Sequence, residues 1–148
     1  MRIESQAFKD GEIIPSKFTC DGSNINPELH FFDVPEEAIS LALIVDDPDS
    51  VGARTFLHWA VWNISPKREK IDEGFSPDEA VEGRNDFGKI GYGGPCPSDG
   101  KLHHYRFKLF AARGVLNLNP QASEEEIENE IALKGLIAKA ELVGIYKR

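Results

Sequence analysis

Apolar and polar positions along this chain alternate in short runs, and one stretch alone has helical spacing. Residues 40–45 (SLALIV) form a continuous apolar run, which suits a strand covered on both faces. Residues 56–64 (FLHWAVWNI) are rich in aromatic and other strand-favouring residues. In an extended chain Phe56, His58, Ala60, Trp62 and Ile64 share one face, and Leu57, Trp59, Val61 and Asn63 share the other. Both faces are mostly apolar, so this strand is expected to be central. Residues 103–111 (HHYRFKLFA) alternate more clearly, with His103, Tyr105, Phe107, Leu109 and Ala111 predicted to face inward. His104, Arg106 and Lys108 are then expected to meet solvent. Residues 141–146 (ELVGIY) read as a closing strand.

The helical stretch begins at Ser123-Glu124-Glu125-Glu126, where serine as N-cap and glutamate three residues later fit a capping box. Acidic residues crowd the first turn and Lys134 and Lys139 fall late, as the helix dipole favours. Ile127, Ile131, Leu136, Ile137 and Ala140 are the expected apolar stripe. Weaker signals for short helical turns lie at 35–38 and 67–72. Frequent prolines and glycines over the first two-thirds favour short strands and long loops. The predicted class is α+β, mainly β: one domain over residues 1–148, two packed sheets with a C-terminal helix against one side.

With 148 residues, 41% of them hydrophobic, the chain can bury a core of ordinary size without staples. The formal net charge of -8 repels phosphodiester backbones and anionic membrane surfaces, which argues against nucleic acid and strong lipid attachment as partners. The first residues carry no apolar stretch suited to a secretory signal, and no run approaches bilayer length. A cytoplasmic location without integral membrane association is therefore expected, with Cys20 and Cys96 reduced.

Two segments hold nearly all the polar residues a core would otherwise avoid. One runs from Asp46-Asp47-Pro48-Asp49 to His58-Trp59; the other runs from Gly91-Tyr92-Gly93-Gly94-Pro95-Cys96-Pro97 to His103 and Tyr105. A carboxylate beside a histidine orients the ring and favours its charged form. Imidazolium nitrogens, a phenol hydroxyl and glycine-loop amides are all donors, and gathered around a hollow they suit a phosphate or carboxylate. Taken singly, His58 reads as a satisfied core histidine, and the glycines as aids to tight turns. The loop lacks the lysine and hydroxyl residue of a nucleotide P-loop, and no ligand spacing marks a metal site. No cofactor is expected.

The segments GYGGPCP and HHYRF, the DDPD-to-HW block and the early FTCDGSNINPEL segment together resemble the phosphatidylethanolamine-binding proteins, in particular their bacterial and archaeal branch, also known through Raf kinase inhibitor proteins. The likeness runs from Ile14-Pro15 to Tyr146. It implies a β-sandwich with a C-terminal helix and a pocket for phosphate-like anions. Carried over by position, that pocket uses Asp47, His58, His103 and Tyr105, with the backbone of Gly93, Gly94 and Pro95 alongside. The resemblance further implies phospholipid head groups or phosphopeptides as ligands, a kinase or protease as protein partner, and a homodimer. The sequence departs from the family pattern at Val51 and at Ser98, each standing where a second proline is usual. Among functions, binding of a small phosphorylated or carboxylated ligand is favoured over catalysis. The alternative is a small hydrolase or transferase using Cys96 or a water activated by His58, for which no serine elbow or complete nucleophile–base set is evident.

Overall fold

Three long antiparallel strands carry the core: β3 (Ser40–Asp47), β4 (Phe56–Ile64) and β7 (His103–Ala112). The computed structural model describes residues 1–52 and 54–148. Short strands β1 (Arg2–Glu4), β2 (Leu29–Phe32), β5 (Lys70–Ile71) and β6 (Val81–Glu82), a 3-10 turn (Ser16–Phe18), the helix α1 (Glu124–Lys134) and a last strand β8 (Leu136–Tyr146) complete the elements. A five-stranded sheet runs β6-β4-β3-β7-β8 and a three-stranded sheet runs β1-β2-β5. β3 is buried along its whole length, as its unbroken apolar run requires.

The space between the sheets is filled from both sides. Leu41, Leu43 and Val45 of β3, Trp59 and Val61 of β4, and Phe107 and Leu109 of β7 meet Ile3, Leu29, Phe31 and Ile71 of the smaller sheet. The opposite face of the large sheet, with Ile44, Ala60, Trp62 and Phe110, is covered by Leu116, Ala122 and α1 through Ile127 and Ile131. The two-sheet architecture with one helix follows the expectation.

Three local expectations are corrected. The helix stops at Lys134, because Gly135 adopts a left-handed φ of 100° and its amide caps the carbonyls of Ile131 and Ala132. Leu136, Ile137 and Ala140 therefore lie in β8, which pairs with β7 along nearly its full length. Lys108 is 3% exposed instead of solvent-facing. It reaches Asp46, Glu124 and Glu128 at 2.7, 2.8 and 2.8 Å. Helix α1 packs over that face, so a lysine there stays buried only because three carboxylates surround it. The strand Lys70–Ile71 also occupies part of the 67–72 stretch where a helical turn was expected.

Strict alternation fails in β4 for a reason that matters to function. Val45 opposes Trp59 while Asp46 opposes Leu57, so His58 is an extra residue with no partner on β3. A second irregularity lies between Leu41 and Leu43, near Asn63 with its φ of 59°. Such bulges re-aim side chains. Consequently Ala60 and Trp62 join the helix-covered face and Ile64 the core between the sheets, whereas His58 turns to the side of Asp47 and Tyr105.

Candidate functional site

The inner face of the large sheet ends in polar residues. Asp47 closes β3, directly opposite Phe56 at the start of β4. His103 and Tyr105 open β7, two positions apart on one face. These strand ends, the bulged His58 and the loop carrying Cys96, Pro97 and Ser98 enclose a hollow of about 230 Å³, further lined by Ser50, Val51 and Phe87. A larger groove of about 590 Å³ runs beside β1 and β8, lined by exposed charges such as Arg2, Lys9 and Asp10. Its polar groups are surface residues, whereas Asp47, His58 and His103 of the smaller hollow are buried.

Each imidazole there is fixed by a different partner. His58, 3% exposed, donates through Nδ1 to the Gly93 carbonyl at 2.7 Å. Phe56 and Phe87 pack against its ring at centroid distances of 4.9 and 5.4 Å. Burial lowers its pKa, and the Gly93 carbonyl and the Asp47 charge oppose this without overcoming it. His103 bonds Asp47 Oδ2 through Nδ1 at 2.7 Å and Asp99 Oδ1 through Nε2 at 3.0 Å. Burial works against its charge as well, but the two carboxylates outweigh burial and hold the pKa above its ordinary value. The other oxygen of Asp47 accepts the Asp49 amide at 2.8 Å, which fixes the carboxylate's orientation.

Tyr105 lies between the two rings, edge-on to His58 at 5.2 Å and stacked with His103 at 6.4 Å. It is 1% exposed, and its buried hydroxyl has no hydrogen-bond partner among the described residues. Burial, with Asp47, Asp49 and Asp99 nearby, pushes the phenol well above its usual pKa and keeps it protonated. A buried hydroxyl left unpaired costs roughly 1–3 kcal/mol, so this one stands ready for a group entering the hollow.

Asp47, His58, His103 and Tyr105 thus converge on one hollow. The Gly93, Gly94 and Pro95 backbone behaves differently from the expected donor set. The Gly93 amide donates to the His58 carbonyl at 2.9 Å, and the Gly94 amide donates to Asn24 Oδ1 at 2.8 Å. What this loop offers the site is the Gly93 carbonyl that orients His58. A Cβ on Gly94 would overlap the Phe18 carbonyl and the Asn24 side chain, which explains glycine at that close approach.

The expectation of reduced thiols is overturned: Cys20 and Cys96 form a disulfide. The Cys20 amide donates to the Pro95 carbonyl at 3.1 Å and the Tyr92 hydroxyl to the Phe18 carbonyl at 2.7 Å. These contacts lay the 16–24 loop on the 92–96 loop and bring the two cysteines together, 76 residues apart in the chain. With its sulfur so engaged, Cys96 offers no thiolate nucleophile. Asp99 and Phe87 escaped the sequence reading. They come from loops, where neither period nor spacing signals which way a side chain points.

The family model for phosphatidylethanolamine-binding protein matches residues 4–147 of this chain. A UPF0098 protein of Pyrococcus abyssi is 46% identical over 97% of this chain and 84% of its own length. A UPF0098 protein of Methanothermobacter thermautotrophicus is 44% identical over 100% of this chain and 99% of its own. Among solved structures, a putative phosphatidylethanolamine-binding protein homolog from Chlamydia trachomatis superposes with a TM-score of 0.91 at 41% identity, covering 99% of this chain and 97% of that one. E. coli YbcL, described as a new member of the mammalian family, gives 0.92 at 32% identity and covers 99% and 98%. With its sandwich, its near full-length family match and these relatives, the chain belongs to the phosphatidylethanolamine-binding protein family.

Proposed function

We propose that the hollow at the ends of β3, β4 and β7 binds a small oxyanion of phosphate type. The observation that carries this reading is the Tyr105 hydroxyl, buried and unpaired, set between a charged imidazole and a neutral one. His103 supplies positive charge and Tyr105 an O–H donor. Phe56 and Phe87 give the hollow an apolar wall, beside which a hydrogen bond to the ligand counts for more than it would in open solvent. For an anion to reach His103 Nε2, Asp99 must swing away. Its position on the exposed 98–100 turn permits that. The reading favours binding over catalysis, because the one sulfur at the site is held in a disulfide and no hydroxyl nucleophile pairs with either imidazole among the described hydrogen bonds. Val51 and Ser98, exposed at the lip, form the surface a kinase or protease partner would meet once the site is filled. Titrating inorganic phosphate while following the histidine side chains by NMR tests the reading. Saturable shifts at both His58 and His103 are expected, and unshifted rings at saturating phosphate would remove it.

A further inference from the structure

We propose that the Cys20–Cys96 pair is a thiol–disulfide exchange site, opened by a dithiol reductant, and that its opening weakens anion binding in the neighbouring hollow. The inference rests on the anion-binding reading above and adds a control to that site.

The bridge lies where a reductant can reach it and where the hollow can feel it. Both cysteines are partly exposed, unlike the sealed core around Trp59 and Leu43. Cys96 and its neighbour Pro97 line the hollow together with His58, His103 and Tyr105. Earlier in the same loop the Gly93 carbonyl orients His58, and later in it Asp99 holds the second nitrogen of His103. The bridge therefore anchors the middle of a loop whose two ends each fix one imidazole.

The two sulfurs stand in different fields. Arg148 places Nη1 3.7 Å from Cys96 Sγ. Cys20 is followed in the chain by Asp21, whose carboxylate accepts from the Tyr146 hydroxyl at 2.6 Å and from Arg148 at 3.1 Å and is held ionised by them. Negative charge is thus favoured on the sulfur of Cys96 and opposed on that of Cys20, which makes Cys96 the better leaving group. One thiolate of the dithiol attacks Cys20 Sγ and the S–S bond breaks, its electron pair leaving on Cys96. The reductant's second sulfur, its proton lost to water, then attacks its partner in the mixed disulfide. Cys20 is released and takes a proton from water, and the dithiol closes to a cyclic disulfide. Two electrons have passed to the protein.

Opening the bridge acts on a bound anion twice, and both effects have the same sign. A thiolate appears on the hollow's wall, in a field that already holds Asp47, Asp49 and Asp99, and it neutralises the Arg148 charge. The loop from Gly93 to Asp99 also loses its covalent tie, so the groups that orient the two imidazoles are held less firmly. The bridged state is the binding state.

Inorganic phosphate is titrated into the bridged protein and into protein kept reduced with excess dithiothreitol, with the histidine side chains followed by NMR in both. The bridged form is expected to bind roughly tenfold more tightly, within the usual range for coupled sites. By linkage, saturating phosphate should then lower the reduction potential of the pair by about 30 mV, read in dithiothreitol redox buffers by trapping with iodoacetamide. In the reduced protein a brief iodoacetamide pulse should label Cys96 before Cys20. Equal phosphate affinity in the two forms with an unmoved potential would overturn the control and leave the anion pocket standing. Reduction that proceeds only at the rate of global unfolding, whatever the dithiothreitol concentration, would overturn the exchange site. A reduced sample whose spectrum has collapsed counts against the proposal as well, since the control needs a folded reduced state. Histidines that shift in neither form would remove the anion-binding reading, and the control with it.

Discussion

Tyr105 is where stability and function pull against each other at the scale of one residue. Its ring fills the end of the core and contributes apolar burial, yet its hydroxyl sits in the same place without a partner. Replacing it with phenylalanine keeps the ring and removes the orphan group. Tyr105→Phe should therefore raise the stability of the unliganded protein by about 1 kcal/mol, because an unmet buried hydroxyl is a net cost. The same change should weaken phosphate by roughly tenfold, since a donor to the ligand is lost. Denaturant unfolding and phosphate titration on one preparation check both arms. A variant that is less stable with unchanged affinity would contradict the role given to this hydroxyl.

Helix α1 shows how an element is anchored through charge as well as apolar contact. Ile127 and Ile131 bury against the sheet, while Ser123 and Glu126 close the capping box. Under the first turn lies a carboxylate pair. Asp46 is fully buried and bonded by both Arg106 and Lys108. Burial works against its charge, but hydrogen bonds from Glu124, Arg106 and Lys108 prevail and hold its pKa low. Glu124 takes the opposite course: burial and the neighbouring Asp46 push its pKa up to about 7. The folded state therefore holds a proton that the unfolded chain releases near the ordinary carboxyl value of about 4.3. Stability from this group is present below the unfolded value and is lost as pH rises through about 7. Glu124→Gln keeps an acceptor for Lys108 and supplies an N–H toward Asp46 at every pH. Its melting temperature should exceed that of the parent by roughly 2–4 °C at about pH 8, with the gap closing at about pH 5. Scanning calorimetry at the two pH values decides it, and a gap that widens toward acid would show the sign to be wrong. Lys108 illustrates why the sequence alone misleads here. Alternation correctly set it opposite Tyr105 and Phe107, but alternation cannot say whether that opposite face meets water or a helix that arrives from further along the chain.

At the scale of the whole molecule, the Cys20–Cys96 bridge joins the 16–24 loop to the rim of the hollow across 76 residues of sequence. Cross-linking so long a loop restricts the unfolded chain, an effect typically of about 2–4 kcal/mol. Reduction should lower the unfolding free energy by that order, read as a lower denaturant midpoint, without unfolding the domain at room temperature, because the loops stay joined by the Cys20 amide, the Tyr92 hydroxyl and the Gly94 amide. Non-reducing peptide mapping should recover a peptide pair linking Cys20 to Cys96, and equal midpoints with and without reductant would dismiss the bridge as a stabiliser. No helix among the described residues is long and apolar enough to cross a membrane.

The amino-acid order by itself determined the strands β3, β4 and β7 and the start of α1, and its motifs, through the family resemblance, picked out Asp47, His58, His103 and Tyr105 of the hollow's lining. Those features follow from local period, local capping and motif content, all of which are written along a single segment. Tertiary structure decided the rest. Pairing between β3 and β4 created the bulge that turned His58 away from Ala60 and Trp62, and pairing between β7 and β8 claimed Leu136 and Ile137 from the helix. Packing of distant loops joined the cysteines, consumed the glycine amides and set Asp99 against His103. Direction of a side chain at a bulge, burial of a charge and closure of a loop depend on which surface arrives from elsewhere in the chain, and no local spacing encodes that.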